Sequence, residues 1–222
     1  MNELTDTKTE KVAGIIAQIY PHRIARLLVV GCGDGVEAAI LSSRLDAAVT
    51  GIDVADSFDP TASRIADLRT GDAMRLEFAD ETFDFVFSYH ALEHIADPNR
   101  ALREMHRVLR RGGGFWIGTP NRTRLVGYIG AKEGSVSDKI RWNVADYRAR
   151  ITGRFRNELG AHAGFSAREL RGMLAAVFDS VTDVTGQYFK TVYGHRRLAA
   201  KAIEAIPFRQ LIYPSVYFHG IK

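Results

Sequence analysis

The segment Leu27 to Gly35, LLVVGCGDG, joins a short apolar run to three glycines at every second position. The apolar half predicts a buried strand over Arg26 to Val30, and the following VEAAILSSRL has the apolar spacing of a helix. In open α/β sheets, ligands lie at the carboxyl ends of strands, and glycines there let a ligand approach the backbone. The segment therefore predicts a ligand-binding turn in an α/β fold, with a purely structural tight turn as the alternative.

Further apolar runs rich in Val, Ile and Phe alternate with stretches of helical pattern. They are AAVTGIDV, ADLRTGDA, FDFVFSY and GGFWIGTP. This alternation predicts a doubly wound parallel sheet with helices on both faces. We expect one helix to begin at Asp97 and Pro98 and to stop at Gly112, because these residue types favour helix ends.

The second half of the chain has weaker patterns. Ser166 and Glu169 have capping-box spacing and predict a helix start. Residues 121–165 form a long insertion, and Arg196 to Ile206 predicts an amphipathic helix before a final strand near Val216 to Ile221. That helix packs on the sheet in one interpretation, and faces a membrane surface or a partner subunit in another.

The net charge of +4 is unevenly distributed. Residues 121–165 carry nine Lys or Arg against four Asp or Glu, and residues 190–222 carry six against one. These segments are either solvated surface or a basic rim for an anionic substrate, a membrane surface or nucleic acid.

Targeting and metal-binding signals are missing from the sequence. No apolar run approaches the roughly 20 residues that span a bilayer, and the polar start does not resemble a secretory signal, so we expect a cytoplasmic protein. Cys32 is the only cysteine, which excludes an internal disulfide, and the histidines lack HExxH spacing. We therefore expect no metal.

The glycine spacing narrows the choice of ligand. Gly31, Gly33 and Gly35 follow G-x-G-x-G, whereas a dinucleotide site has G-x-G-x-x-G. Asp53 ends the second apolar run, where its carboxylate can accept hydrogen bonds from ribose hydroxyls. Asp72 follows the third run and can accept from an exocyclic amine. The spacing argues against a dinucleotide site, and a solvated acid at a strand end is the alternative interpretation of Asp53.

Four motifs in this order resemble the class I S-adenosylmethionine-dependent methyltransferases. They are VVGCGDG, GIDV, GDAMRLEFADETFDFVFSYHALEHIADP and REMHRVLRRGGGFWIGTPNR. The resemblance covers about Ile24 to Thr119 and, more loosely, the rest of the chain. It implies a Rossmann-like, seven-stranded sheet whose last strand is antiparallel, with the cofactor along the carboxyl edge of the first strands. We expect one domain over residues 1–222, with 121–165 as an inserted acceptor-site segment.

The resemblance implies a set of contacts to S-adenosyl-L-methionine at its adenosine end. Asp53 would hold the ribose, and Val54 and Met74 would flank the adenine. Asp72 would accept the adenine amine, and the Ala73 N–H would meet a ring nitrogen.

At the methionine end, the resemblance places the glycine turn, which comprises Gly31, Cys32, Gly33 and Gly35. Ser88 would offer its carbonyl to the cofactor's ammonium. Val29 stands where many members carry an acid. The contact at this end is therefore either weaker or supplied by Tyr89 or a water.

The sulfonium methyl group is already activated, so alignment and a dry site supply much of the rate, and a base is needed only when the nucleophile must lose a proton. The candidate bases are His90, His94 and His162, and a structural role is the alternative for each. In the family, the histidine of EHI mainly braces its loop. The family also implies that lack of an Asn-Pro-Pro-aromatic motif argues against nucleobase amino groups as acceptors.

The predicted activity is methyl transfer to a small molecule, including a lipid- or sugar-linked one, with an anionic or aromatic group. Basic and aromatic side chains in residues 121–165 suit such an acceptor. Two alternatives remain: an RNA or protein methyltransferase, favoured by the basic segments, and a non-catalytic S-adenosylmethionine-binding protein, favoured by Val29. The sequence is compatible with a monomer or a homodimer.

Overall fold

The computed structural model describes residues 4–128, 134–157, 163–194 and 211–222. Seven strands form one sheet in the order β3-β2-β1-β4-β5-β7-β6. Their bounds are β1 Arg26–Val30, β2 Ala48–Asp53, β3 Asp67–Thr70, β4 Phe83–Tyr89, β5 Leu109–Pro120, β6 Ser180–Asp183 and β7 Ser215–Ile221. β1 to β5 run parallel, whereas β7 is antiparallel to β5 and β6. The predicted fold class is confirmed.

Helices cover both faces of this sheet. They are α1 Thr7–Ile19, α2 Val36–Leu45, α3 Pro98–Val108, α4 Val136–Ile151, α5 Ala167–Ala175 and α6 Thr185–Tyr193. Buried residues of α1, α2 and α6 share one apolar core with the sheet, and those of α3 and α5 share the other. No residue of α4 is fully buried. Two cores on opposite faces are what a doubly wound sheet requires.

The two-residue period of the strands divides β4 between these cores. Phe85 and Phe87 lie in the core with α1 and α2, and Val86 lies in the core with α3. One residue before Phe85 in β4, the buried Asp84 accepts hydrogen bonds from the backbone N–H groups of Ala25, at 2.7 Å, and Arg26, at 2.8 Å. One acidic side chain thus fixes the start of β1 against β4.

One predicted helix boundary is wrong. The helix that begins at Pro98 ends at Val108, four residues before the expected stop at Gly112. Leu109 already pairs with Phe83 as the first residue of β5, so strand pairing prevails over the continuing helical pattern. The predicted N-cap is confirmed, since Asp97 accepts the N–H of Arg100 at 3.0 Å.

Two further predicted boundaries agree with the structure to within one residue, whereas β5 begins four residues before the predicted run GGFWIGTP. Both hydrogen bonds of the capping box between Ser166 and Glu169 are present. The last strand begins at Ser215, one residue before its expected start. The predicted helix Arg196 to Ile206 lies outside the described residues. Within the described part of the chain, no helix is both long and apolar enough to cross a bilayer.

Candidate active site

The glycine turn after β1 has left-handed backbone at each of its three glycines. Their φ angles are +74° at Gly31, +54° at Gly33 and +84° at Gly35. The N–H groups of Gly31 and Cys32 donate to the carbonyl of Ile52 at 2.9 and 3.0 Å, which ties the turn to β2. Such angles strain any residue with a Cβ, so the bare sequence is a backbone requirement.

The same glycines differ in what surrounds them. A Cβ at Gly31 would lie 2.1 Å from the Cβ of Ala91, and one at Gly35 would lie 2.1 Å from Cδ1 of Leu68. A Cβ at Gly33 would meet no described atom within 4 Å. Gly31 and Gly35 are therefore needed for close packing against neighbouring residues, whereas Gly33 faces open space.

Asp53, at the carboxyl end of β2, lies against this turn. Its Oδ2 accepts the N–H of Gly33 at 2.8 Å, and its Oδ1 accepts the N–H of Ala55 at 3.1 Å. Each carboxylate oxygen has two lone pairs, so both can accept a further hydrogen bond. The structure thus brings together two residues that the sequence assigns to one ligand.

The predicted adenine-binding residues follow β2 and β3. Val54 is 78% exposed, which is unusual for a valine at the end of a central strand. Asp72 is exposed and accepts the N–H of Met74 on Oδ1 at 2.8 Å, while Ala73 is buried and Met74 half-buried. These side chains leave apolar surface and carboxylate lone pairs at the edge of the sheet.

Three tyrosine hydroxyls meet beyond the end of β4. The Tyr89 hydroxyl lies 2.7 Å from that of Tyr188 on α6 and 3.2 Å from that of Tyr217 on β7. Gly118 makes this possible, because a Cβ there would lie 2.4 Å from Cδ1 of Tyr217. Burial raises the pKa of Tyr188 to about 12 and those of Tyr89 and Tyr217 well above the ordinary value, so the hydroxyls stay protonated.

His90 adjoins this cluster in a strained conformation. Its φ is +55°, a region that few residues other than glycine adopt, and its N–H donates to the carbonyl of Gly118 at 2.8 Å. Its Nε2 lies 3.3 Å from the Tyr217 hydroxyl, and its Nδ1 lies 3.9 Å from Oε1 of Glu93. The imidazole therefore stands between a phenol and a carboxyl group.

Glu93 is a residue that the sequence reasoning missed. Its side chain is 1% exposed, and among the described residues its Oε2 has no hydrogen-bond partner. Burial raises its pKa to about 7, against the opposing charge of Arg124. His94 is half exposed, with its Nε2 also 3.9 Å from Oε1 of Glu93. Glu93 belongs to the EHI motif, in which the sequence analysis assigned a role only to the histidine, His94.

Arg124, also missed, is buried in the segment after β5. Its Nη2 lies 2.8 Å from Oδ2 of Asp146 on α4, and its Nη1 donates to the carbonyl of Asn121 at 3.2 Å. The guanidinium carbon lies 5.2 Å from the ring centre of Phe155. Residues from both ends of the predicted insertion thus meet at Arg124, whose charge is close enough to Glu93 to lower the pKa of that carboxyl group.

The remaining predicted residues have mixed positions. Ser88 is fully buried, and its Oγ has no hydrogen-bond partner among the described residues. Cys32 is buried, and burial with the nearby charge of Asp53 raises its pKa to about 12. Val29 is 1% exposed within the core, so its position offers no polar contact. His162 lies outside the described residues.

Comparisons with known proteins agree with this architecture. A family model described as a methyltransferase domain matches residues 28–117. The ubiquinone biosynthesis O-methyltransferase of Parvibaculum lavamentivorans is 30% identical over 194 residues, which cover 83% of this chain and 74% of that protein. The phosphatidylethanolamine N-methyltransferase of Cereibacter sphaeroides is 32% identical over 153 residues, 65% of this chain and 66% of that protein.

Among solved structures, phosphoethanolamine N-methyltransferase 2 of Haemonchus contortus in complex with S-adenosyl-L-methionine has the same fold. Its TM-score is 0.60 at 17% identity, over 96% of this chain and 52% of that chain. The fold, the family model and the extent of the Parvibaculum match confirm the predicted family and activity class. The chain belongs to the class I S-adenosylmethionine-dependent methyltransferases.

Proposed function

We propose that this enzyme methylates a hydroxyl group of a small molecule that carries a ring or an apolar chain. The observation that carries this proposal is the placement of the His90 imidazole between the Tyr217 hydroxyl and the Glu93 carboxyl group at the carboxyl end of β4. A hydroxyl must lose its proton to become a competent nucleophile, and a positioned imidazole is the side chain that most often takes it.

The residues around the glycine turn fit S-adenosyl-L-methionine. Gly33 faces open space, Asp53 keeps lone pairs for the ribose, and exposed Val54 offers apolar surface for a base. Ser88 is fully buried, so its predicted contribution is its backbone carbonyl and not its hydroxyl. When bound, the cofactor supplies a methyl group on a positively charged sulfur.

We assign the remaining predicted cofactor contacts to this same edge. The adenine is held by Asp72, Ala73 and Met74, which form the turn after β3. Because Val29 is sealed in the core, the ammonium contact falls to the Ser88 carbonyl and to Tyr89, whose hydroxyl lies in the tyrosine cluster.

His90 is the proposed base. It receives the acceptor's proton, and the Glu93 carboxylate stabilises the resulting positive charge across 3.9 Å of a site that excludes much of the solvent. The Tyr217 hydroxyl and the strained backbone fix the plane of the ring. His94 shares the same carboxylate oxygen but has a more exposed side chain, so we assign it to bracing the loop.

Residues 121–165 form the acceptor side of the site in this proposal. The buried Arg124, paired with Asp146, lies 5.8 Å from the ring centre of Tyr128 and 5.2 Å from that of Phe155. It holds the half-buried Tyr128 ring in place as an aromatic surface for the acceptor. The relatives are named for ubiquinone and for phosphatidylethanolamine, both of which contain apolar chains. This supports an acceptor with such a chain.

We further propose that residues 1–222 act as one domain in the cytoplasm, as a monomer or a homodimer. The single sheet, to which strands from both halves of the chain contribute, supports the first point. Size-exclusion chromatography with light scattering measures the oligomeric state directly.

Calorimetric titration with S-adenosylmethionine and S-adenosylhomocysteine tests cofactor binding, and no heat with either would refute it. Asp53→Ala should weaken binding by about 1–3 kcal/mol, because ribose hydroxyls lose a charged acceptor. The exposed neighbour Asp56 offers a matched control, and Asp56→Ala should leave the affinity unchanged. An unchanged affinity for Asp53→Ala would remove its assigned role.

A methyl-transfer screen with tritiated cofactor over phenols, catechols, polyols and amines tests the acceptor. We expect hydroxyl acceptors to turn over, and His90→Ala to lower kcat by about 10²–10⁴-fold with cofactor affinity retained. His22→Ala, at an exposed histidine before β1, is the control. Turnover of amines alone, or full activity of His90→Ala, would contradict the proposed base.

A further inference from the structure

One side of α4 exposes an apolar stripe to solvent. Its residues recur at intervals of three or four and are Val136, Ile140, Val144, Tyr147 and Ile151, at 77, 60, 59, 43 and 86% exposure. At 1.5 Å per residue, the stripe is about 22 Å long. A helix whose apolar side packs against its own protein buries that side, and α4 does not.

Two residues after β5 extend the stripe into a patch. Leu125 and Val126 are 49 and 48% exposed, and the Tyr147 hydroxyl donates to the Leu125 carbonyl. Only two other large apolar residues in the described ranges are exposed, and both lie in other parts of the fold, at Val54 and Ile65. We call the five residues of the stripe, together with Leu125 and Val126, the α4 patch. Such clustering marks an interaction surface.

One flank of α4 is attached to the protein, which fixes the orientation of the helix. The Asn143 Oδ1 accepts the N–H of Gly127 at 2.7 Å, and Asp146 holds Arg124 at 2.8 Å. Arg150 donates to the carbonyl of Arg122 at 2.6 Å. These contacts lie along one edge of the stripe and leave its apolar side chains exposed, so the patch points outward.

The margin of the patch is basic. Residues 136–156 contain six Lys or Arg and two Asp. Both acids are in ion pairs, Asp138 with Arg141 and Asp146 with Arg124. Arg148 is exposed and lies one turn beyond Val144 along the helix. The unneutralised charge beside the apolar stripe is therefore positive.

This combination distinguishes between partners. A second copy docked on the same face would bring two positively charged margins together, because a two-fold interface uses the same patch on both subunits. Nucleic acid is bound mainly through contacts to phosphate and sugar, which a row of exposed Val and Ile side chains does not provide. An anionic lipid surface takes up both features, with apolar side chains at the acyl boundary and cations among the headgroups.

We propose that the α4 patch is a docking surface for a membrane containing anionic lipid. The helix lies parallel to the bilayer plane, with Ile140, Val144 and Ile151 inserted and Arg148 at the headgroups. Because Asp146 and Arg124 connect α4 to the segment beside Glu93, docking brings the carboxyl edge of the sheet close to the lipid phase. An acceptor with an apolar chain is then delivered from the membrane, a consequence that rests on the proposed function.

Flotation with vesicles tests the proposal. The wild-type protein should float with vesicles of phosphatidylcholine and phosphatidylglycerol, less with pure phosphatidylcholine, and less at high salt. Ile151→Asp should weaken binding to the mixed vesicles by about tenfold or more, because the variant must place a charge where an isoleucine inserts. Ile65→Asp, the same change at an exposed isoleucine outside the patch, should bind as the wild type does.

Arg148→Gln provides a second variant, with an expected loss of about fivefold on mixed vesicles and none on neutral ones. Calorimetry with S-adenosylmethionine on every variant verifies that the variants are folded. If the wild type does not bind the cofactor, the proposed function is refuted, whereas the flotation result still decides the membrane proposal. Absence of wild-type flotation, or equal flotation of Ile151→Asp, would overturn the membrane proposal. So would a wild-type dimer, or an RNA complex, that Ile151→Asp dissociates.

Discussion

Replacing Glu93 by glutamine tests how much folding free energy is lost when this buried carboxyl group ionises. Its side chain is 1% exposed, and burial raises its pKa from an ordinary 4.5 to about 7. One pKa unit corresponds to 1.36 kcal/mol, so ionisation of Glu93 in the folded protein costs about 3 kcal/mol more than in the unfolded chain. Glutamine has the same shape and does not ionise.

The sign follows from proton binding. Between pH 4.5 and about 7, the folded state holds a proton at Glu93 that the unfolded state has lost, so wild-type stability falls as pH rises through this window. Below pH 4.5 both states are protonated, and above about pH 7 both are ionised, so the contribution is constant there. Glu93→Gln lacks this slope, and relative to the wild type it should gain about 3 kcal/mol across the window.

Urea unfolding at a series of pH values, followed by tryptophan fluorescence, measures the difference. Titrating groups away from Glu93 cancel between wild type and variant. His90 and His94, whose ring nitrogens lie 3.9 Å from Oε1 of Glu93, are replaced by glutamine in both proteins so that their titration does not enter the comparison. A missing partner for the new amide shifts the whole curve without changing its slope. Glu81→Gln, at an exposed glutamate, should give a curve parallel to the wild type. Parallel curves for Glu93→Gln as well would refute the reasoning and place the Glu93 pKa near its ordinary value.

Three further predictions, on four substitutions, test the scaffold and the site. Gly35→Ala should lower the free energy of unfolding by about 2 kcal/mol or more, because its Cβ would collide with Leu68 at a positive φ. Gly33→Ala should lower it by only about 1 kcal/mol, because its Cβ meets open space, and should weaken cofactor binding. Equal losses of stability for the two variants in thermal unfolding would contradict this. Asp84→Ala should lower the free energy of unfolding in urea by about 2–4 kcal/mol, because two backbone N–H groups lose their acceptor, and an unchanged midpoint would refute that. Tyr217→Phe should slow methyl transfer by about tenfold with unchanged cofactor affinity, and a normal kcat would remove Tyr217 from the positioning of His90.

The parts of the fold that local patterns determine could be predicted from the sequence. β1 and α2 have the expected bounds, and Asp53 lies at the carboxyl end of β2 beside Gly33. Here strand periodicity, a glycine requirement and a helix pattern act within a few neighbouring residues. The end of α3 was missed because Leu109 suits either structure, and its pairing with Phe83 decides between them.

The tyrosine cluster could not be predicted in this way. Tyr188 and Tyr217 meet Tyr89 across separations of 99 and 128 residues. Gly118 is one glycine among several in its segment until the pairing of Gly118 with Tyr217 is known. Contacts that depend on strand register across the sheet have no local signature. The same holds for Arg124, whose proximity to Glu93 requires the fold.

The burial of Cys32 makes the protein a convenient subject for labelling. The residue is 4% exposed, and burial raises the pKa of its thiol to about 12, so the thiol stays almost wholly protonated at neutral pH. Thiolates are the form that alkylating reagents and oxidants attack, so this cysteine should react slowly and the protein should tolerate storage without reductant. A cysteine introduced at Ile151 would then be the one reactive thiol in the chain, and a polarity-sensitive fluorophore attached there would report lipid contact without prior removal of a native cysteine.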